Sequence, residues 1–109
     1  MVEMVYAYTV SEEKVIEQLV KDDVAMINHV ILKKGDALPE HHSDSNVYLI
    51  IVRGAITARF NEQEAHTYEK QILNVPSQTL MNISNEGDSD LEFFIVKAPH
   101  PRVYNQKDS

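Results

Sequence analysis

The feature that most constrains the fold is a succession of short apolar segments separated by turn-forming residues. Val47 to Val52 is an unbroken apolar run that ends at Arg53-Gly54, as in a strand buried on both faces. Ala55 to Phe60 instead alternates between apolar and polar residues, as in a half-buried strand. Asn85-Glu86-Gly87-Asp88 is a turn signal of the kind that separates such segments. This pattern predicts an all-β sandwich or barrel.

The same patterns place seven strands along the middle of the chain. They are predicted at Val24–Leu32, Val47–Val52, Ala55–Phe60, Ala65–Tyr68, Ile72–Val75, Thr79–Ser84 and Leu91–Ala98.

The two ends of the chain are predicted to differ from this middle. Residues 1–10 are rich in valine and tyrosine and are predicted to form an extended arm. In residues 11–21, Ser11 has the character of a helix N-cap, and the apolar residues that follow have helical spacing, which predicts a short helix. The tail, residues 99–109, contains two prolines and a polar end and is predicted to be poorly ordered.

The length and composition indicate a single globular domain and argue against membrane and nucleic-acid-binding proteins. A chain of 109 residues is expected to form one domain. The apolar fraction of 43% and the charged fraction of 25% are typical of a globular protein, and no run approaches the roughly 20 apolar residues of a membrane span. The first ten residues have no basic, signal-like region, so we expect a cytoplasmic protein without membrane contact. A net charge of −7 argues against nucleic-acid binding.

The stretch from Lys33 to Gly54 carries a family resemblance. Gly35 is followed after five residues by His41, and Gly54 closes the stretch at the spacing of the first motif of small single-domain cupins. Pro76 and Asn85 match two positions of the second cupin motif. Over residues 24–98 the chain therefore resembles a cupin of the cupin 2 type. The resemblance implies a double-stranded β-helix, or jelly-roll, barrel over these residues.

The resemblance also indicates where a metal site would lie. Cupin metalloenzymes usually hold the ion with two histidines and a glutamate from the first motif and a histidine from the second. Those positions carry His41, Ser43, Val47 and Met81 here, so one ligand of four is kept and the site is degenerate. Lys70 and Gln78 stand where the second motif has glycines.

An alternative register keeps more metal ligands. Adjacent residues of a strand point to opposite faces, so His41 and His42 cannot both reach one ion in an extended strand. A register with Glu40 and His42 inward, and Asn46 as an oxygen ligand, keeps the two-residue spacing. A bulge or turn across these residues would lift the restriction on the two histidines. The candidate ligands for a weakly held divalent ion are therefore His41, His42 and Glu40.

Three functions follow as hypotheses. The first is a metal-free barrel that binds a small molecule in a mostly apolar mouth containing one titratable group. Its pocket candidates are His41, Ser43, Val47, Leu49, Met81 and Ile83. The second is a metal-dependent enzyme, an oxygenase or isomerase acting on a small acid or sugar. The third is a structural or regulatory homodimer, with the N-terminal arm pairing with the partner's sheet because exposed strand edges invite pairing.

Overall fold

The computed structural model describes residues 2–106, so Met1 of the predicted arm and residues 107–109 of the predicted tail lie outside it. Within these residues the chain forms nine strands and one short helix. The strands are β1 Val15–Lys21, β2 Met26–Leu32, β3 His41–His42, β4 Val47–Arg53, β5 Ile56–Phe60, β6 His66–Tyr68, β7 Ile72–Val75, β8 Leu80–Ser84 and β9 Leu91–Lys97, and the helix is α1 Pro101–Gln106.

The strands form two sheets that close on one core. The five-stranded sheet has the order β1-β2-β9-β4-β7 and the four-stranded sheet the order β3-β8-β5-β6, with antiparallel pairing throughout. The predicted all-β, double-stranded β-helix architecture is confirmed. Seven of the nine strands lie within two residues of their predicted bounds, and β1 and β3 were not predicted.

The core lies between the two sheets. Along β4 the burial alternates, with Val47, Leu49 and Ile51 buried and Tyr48 exposed, because successive side chains point to opposite faces. The buried side chains of both sheets form one apolar cluster. It consists of Val30, Leu32, Val47, Leu49, Ile51, Ile56, Ala58, Val75, Met81, Ile83, Leu91 and Phe93.

The predicted helix at residues 11–21 is wrong, because β1 occupies Val15–Lys21. The ladder between β1 and β2 shifts register between Gln18 and Val20, so one extra residue breaks the alternation and imitates helical spacing. The Ser11 hydroxyl does accept a hydrogen bond, from the amide of Glu13 at 2.9 Å. That two-residue contact forms a local turn and not a helix cap.

The tail is more regular than predicted. Residues Pro101–Gln106 form α1, which begins with a proline whose missing amide costs nothing at that position. The amide of Arg102 donates to His100 Nδ1 at 3.0 Å, so His100 caps the helix. In residues 2–106 no helix has the length and apolar character needed to cross a bilayer.

The turns of the second motif are kept without glycine. Lys70 and Gln78 adopt φ angles of 53° and 68°, the left-handed conformation that glycine would take most easily. Gln78 is held there by a hydrogen bond from its amide to the Ser43 carbonyl at 2.8 Å. The two substitutions therefore change the residue type and leave the turn geometry in place.

Candidate functional site

Ser43 occupies the second histidine position of the first motif and is tied to the backbone. Its side chain is buried, donates to the Pro76 carbonyl at 2.6 Å and accepts from the Thr79 amide at 2.9 Å. The Thr79 hydroxyl also donates to the Pro76 carbonyl, at 2.8 Å. These bonds join the segment after β3 to the turn between β7 and β8. Ser43 thus acts as a structural link at this position.

The two histidines lie on opposite faces of β3. His41 pairs with Met81 and His42 with Leu80, and directly paired residues share a face. His41 is therefore on the strand face that carries buried Met81, and His42 is on the opposite face. Both histidines and Glu40 are nevertheless exposed. The ring of His41 is turned to the Pro39 carbonyl, with Nδ1 at 2.9 Å from it.

The side chains at the four motif positions do not fit a metal ion. Val47 has no donor atom, Met81 is a buried thioether within the core, and the Ser43 hydroxyl is already bonded to backbone groups. Through residues 2–106, no three or more His, Asp or Glu side chains are arranged to hold an ion. An ion at Glu40 or His42 would be bound from an exposed edge. That assignment stays a prediction.

A cavity of about 280 Å³ opens between the two sheets, near the turns that follow β5 and β7. Its lining contains no charged side chain. The lining residues are Phe60, Asn61, Gln63, Asn74, Val75, Pro76 and Thr79. Pro76 and Thr79 are also the hydrogen-bonding partners of Ser43, so this cavity adjoins the Ser43 position of the first motif.

The lining side chains offer both donors and acceptors. Asn61 Oδ1 accepts from the Leu80 amide at 3.0 Å, and Asn74 Nδ2 donates to Asn46 Oδ1 at 2.9 Å and to the Val47 carbonyl at 3.1 Å. These bonds engage one end of each amide, leaving the Asn61 amino group and the Asn74 oxygen for a ligand. Gln63 is exposed and its side chain makes no hydrogen bond with any of the described residues.

The predicted pocket residues do not line this cavity. Val47, Leu49, Met81 and Ile83 belong to the core cluster, with exposures of 3% or less, and none of them lines the cavity. The sheets pack closely enough that these side chains fill the barrel interior instead of bordering a void. Neither His41 nor Ser43 lines the cavity.

A second polar cluster lies on the outer face of the five-stranded sheet. His29 on β2 is fully buried, with Nδ1 2.7 Å from Glu17 Oε2 and Nε2 2.6 Å from Glu92 Oε2. Arg53 continues the cluster, since its Nε donates to Glu92 Oε1 at 3.0 Å. The Tyr8 ring lies over His29, with centroids 4.9 Å apart.

Both carboxyl groups of this cluster have a lowered pKa. A hydrogen bond from the Thr9 amide, followed by those from His29 and the Thr9 hydroxyl, holds the pKa of Glu17 below its ordinary value. Burial alone would raise the pKa of Glu92, but hydrogen bonds from His29 and Arg53 outweigh it and leave that pKa lowered as well. Both groups are therefore carboxylates at neutral pH.

Sequence reasoning missed both features for the same reason. Glu17 and Glu92 are 12 and 63 residues from His29 along the chain, and only the pairing of β1 and β9 with β2 brings them to one ring. In the cavity, Asn61 and Gln63 fall in a stretch that the sequence marks only as a polar turn. The one available signal was the asparagine at position 61, because asparagine tolerates the left-handed conformation of a turn. Asn61 adopts that conformation, with a φ of 56°.

Comparison with known proteins identifies relatives of the whole chain. No protein-family model matches the chain. An uncharacterized protein of Methanocaldococcus jannaschii is 43% identical over 107 residues, which cover 96% of this chain and 92% of that protein.

Solved structures show the same relationship. An RmlC-like cupin family protein from M. jannaschii, described as having a double-stranded β-helix fold, superposes with a TM-score of 0.92 at 43% identity. That match covers 96% of this chain and 98% of the other. A cupin superfamily protein of Desulfitobacterium hafniense superposes with a TM-score of 0.70 at 14% identity, over 85% and 84% of the two chains, and shares the fold.

The high identity over almost the whole length of both chains exceeds what a shared fold alone would give. The barrel topology and the spacing of Gly35, His41 and Gly54 agree with it. The chain belongs to the RmlC-like cupin family.

Proposed function

We propose that this cupin binds a small, neutral, polar molecule in the cavity beside Ser43, without a metal ion. The observation that carries the proposal is the uncharged, hydrogen-bonding lining of the cavity, next to a motif position where the hydroxyl of Ser43 is bonded to backbone groups. Ligand sites typically combine apolar walls with a few polar groups that orient the ligand.

The lining indicates the class of ligand. Phe60, Val75 and Pro76 provide an apolar wall, and the amides of Asn61, Gln63 and Asn74 provide donors and acceptors. An anionic ligand would find no cation in this lining to offset the cost of leaving water. A polyol, a monosaccharide or a small amide matches both the chemistry and the volume of about 280 Å³. Because no charge pair forms, we expect the binding constant to be insensitive to salt.

Ligand titration followed by NMR tests the proposal. Neutral polyols and monosaccharides are added to labelled protein, alongside carboxylates of matched size. We expect neutral compounds to shift the amide signals of Asn61, Gln63 and Thr79, and the carboxylates to leave them unchanged. If neither class perturbs these signals, or if the carboxylates bind more tightly, the proposal is wrong.

The variant Gln63→Ala tests whether the ligand binds in this cavity. Gln63 is exposed, so its truncation removes hydrogen-bonding groups at the cavity without disturbing the core. Loss of one hydrogen bond worth about 1 kcal/mol weakens binding about fivefold. Gln18→Ala is the control, because Gln18 is an exposed glutamine on β1, at the opposite edge of the sheet from β7. An unchanged affinity in Gln63→Ala would show that binding occurs elsewhere.

Self-association is a second candidate function, supported by exposed apolar side chains on the N-terminal arm. Val2, Met4, Val5 and Val10 are between 76% and 100% exposed, and Ile72 on edge strand β7 is 64% exposed. Exposed apolar residues grouped on one segment are typical of a contact surface. We propose a homodimer in which the arm contacts the partner, which is the role that the third hypothesis gives it.

A further inference from the structure

The N-terminal arm is attached to its own barrel through a charge cluster, centred on the buried His29, that the proposed function does not use. Thr9 donates from its amide to Glu17 Oε2 and from its hydroxyl to Glu17 Oε1, both at 2.8 Å. The Tyr8 ring packs at a tilt of 54° against His29 and meets the Phe94 ring edge-on, with Tyr8 and Phe94 centroids 5.2 Å apart. Residues 2–10 belong to no strand and are exposed, so these contacts are what places the arm on the sheet.

The geometry around His29 requires a proton on each ring nitrogen. Both nitrogens face carboxylate oxygens at 2.6–2.7 Å, and carboxylates only accept hydrogen bonds. A neutral imidazole has one N–H group and can satisfy only one of the two. The imidazolium has two and satisfies both. His29 is fully buried, so water cannot replace the missing partner.

The charges around His29 balance only when it is protonated. Glu17 on β1 and Glu92 on β9 contact the ring, and Arg53 on β4 pairs with Glu92. Beyond Glu92, Arg53 Nη1 lies 3.8 Å from Asp90, and Lys33 Nζ lies 2.9 Å from Asp90. The cluster contains three carboxylates and, with the imidazolium, three cations. From the arm, Tyr8 contacts His29 and Thr9 contacts Glu17, and neither adds a charge at neutral pH.

The same cluster holds the chain that follows the arm. Lys33 Nζ donates to the Glu12 carbonyl at 2.6 Å while it pairs with Asp90. The segment between Thr9 and Glu12 is thus anchored at one end by Glu17 and at the other by Lys33. The Glu17 carboxylate in turn contacts His29 Nδ1 at 2.7 Å, and this contact is a hydrogen bond only when Nδ1 carries a proton.

We propose that His29 is a proton-controlled latch for the N-terminal arm. With both nitrogens protonated, Glu17 is held where it accepts both Thr9 hydrogen bonds, and the arm is docked. When His29 loses a proton, one carboxylate faces a nitrogen lone pair at hydrogen-bond distance in a buried site. Glu17, which is 25% exposed against 13% for Glu92, is the one that turns to water and releases Thr9. Raising the pH therefore frees the arm.

NMR of the full-length protein tests the latch directly. Backbone relaxation of Thr9 and Val10 reports whether the arm is docked, and the ¹⁵N shifts of the His29 ring report how many protons it carries. We expect the arm to be ordered while both nitrogens are protonated. Loss of one proton should then lower the docked-to-free ratio about tenfold or more, since a buried charged group is left unpaired.

Two variants separate the latch from a merely structural role. Glu92→Gln lets a neutral imidazole donate to Glu17 and accept from the Gln amide, so the arm should stay docked at high pH. In His29→Gln the amide nitrogen can replace only one of the two ring nitrogens, and the amide oxygen at the other end only accepts, so one carboxylate stays unpaired and the arm should be mobile at every pH. Amide exchange of Leu49 in the core verifies that each variant is folded.

Several results would overturn the proposal. One is Thr9 dynamics that do not change when the His29 ring titrates in the wild-type protein. Another is a pH-dependent release that persists unaltered in His29→Gln or in Glu92→Gln. In the wild-type protein, a His29 ring with a single proton while Thr9 is still docked would also contradict the latch.

Discussion

Ser43 occupies a position where metal-binding cupins carry a histidine, and it bonds to the backbone on both sides of the Pro76 turn. At this position the hydroxyl of Ser43 therefore links two segments of the chain. The spacing from Gly35 predicted the position but could not show its hydrogen bonds. Those depend on Pro76 and Thr79, which lie more than thirty residues further along the chain.

Ser43→Ala is expected to lower the free energy of unfolding by about 1–3 kcal/mol. The variant leaves the buried Thr79 amide without its acceptor. Urea unfolding measures the difference. Ser77→Ala is the matched control, because the Ser77 hydroxyl is buried and finds no partner among the described residues, so its removal should be neutral or stabilising. Equal effects in the two variants would contradict the structural role of Ser43.

The lowered pKa of Glu17 predicts how the unfolding free energy changes as the pH falls. Its pKa is lower in the folded chain than in the unfolded chain, so the unfolded state binds more protons as the pH falls. The contribution of Glu17 is therefore complete above a pH of about 4.3 and is lost as the pH falls through the lower folded-state value. The unfolding free energy of Glu17→Gln should fall less steeply than that of the wild type over this range. An equally steep fall would contradict the contacts of Glu17.

At the scale of elements, strands were predictable where their periodicity was unbroken. Residues 47–52 and 91–98 were recognised because uninterrupted apolar patterns mark central strands. In β1 the bulge gives Leu19 and Val20 helical spacing with Val15 and Ile16, so the pattern indicates a helix where the structure has a strand. The β-branched character of Val15, Ile16 and Val20 was the available signal for a strand.

Gly54 joins β4 to β5 and allows β9 to approach. Its φ is 76°, and an added Cβ would overlap the Asp90 carbonyl and lie 2.9 Å from Leu91 Cα. Gly54→Ala should therefore cost about 3 kcal/mol or more, from backbone strain and overpacking together. Gly35→Ala is the control: its φ is 85° with nothing within 4 Å of the new atom, so it should cost about 1–2 kcal/mol. Thermal unfolding that ranks the two variants in the opposite order would contradict this packing.

At the scale of the whole molecule, the family resemblance predicted the barrel but not how its interior is filled. The two motifs identify the fold because their spacing reflects strand and turn lengths. Whether the interior is open depends on all the side chains that meet there, such as Phe93 from β9 and Ile56 from β5. No single motif contains them. The cavity consequently lies at the turns after β5 and β7, away from the predicted apolar mouth.

Deletion of residues 1–7 tests self-association separately from the latch, because it keeps Tyr8 and Thr9. The deletion removes Val2, Met4 and Val5, whose exposed apolar area would be buried against a partner. We expect sedimentation velocity to show a dimer for the full chain and a largely monomeric truncated chain. A truncated chain that dimerises as strongly as the full one would contradict the proposed role of the arm.

Elemental analysis of the purified, dialysed protein tests the central claim most directly. A barrel in which Ser43 is bonded to backbone, Val47 has no donor atom and Met81 is buried in the core should retain no stoichiometric metal. The same result is expected after incubation with divalent ions followed by dialysis. Stoichiometric metal that survives dialysis in the wild type and is lost in His41→Ala or His42→Ala would contradict the metal-free account.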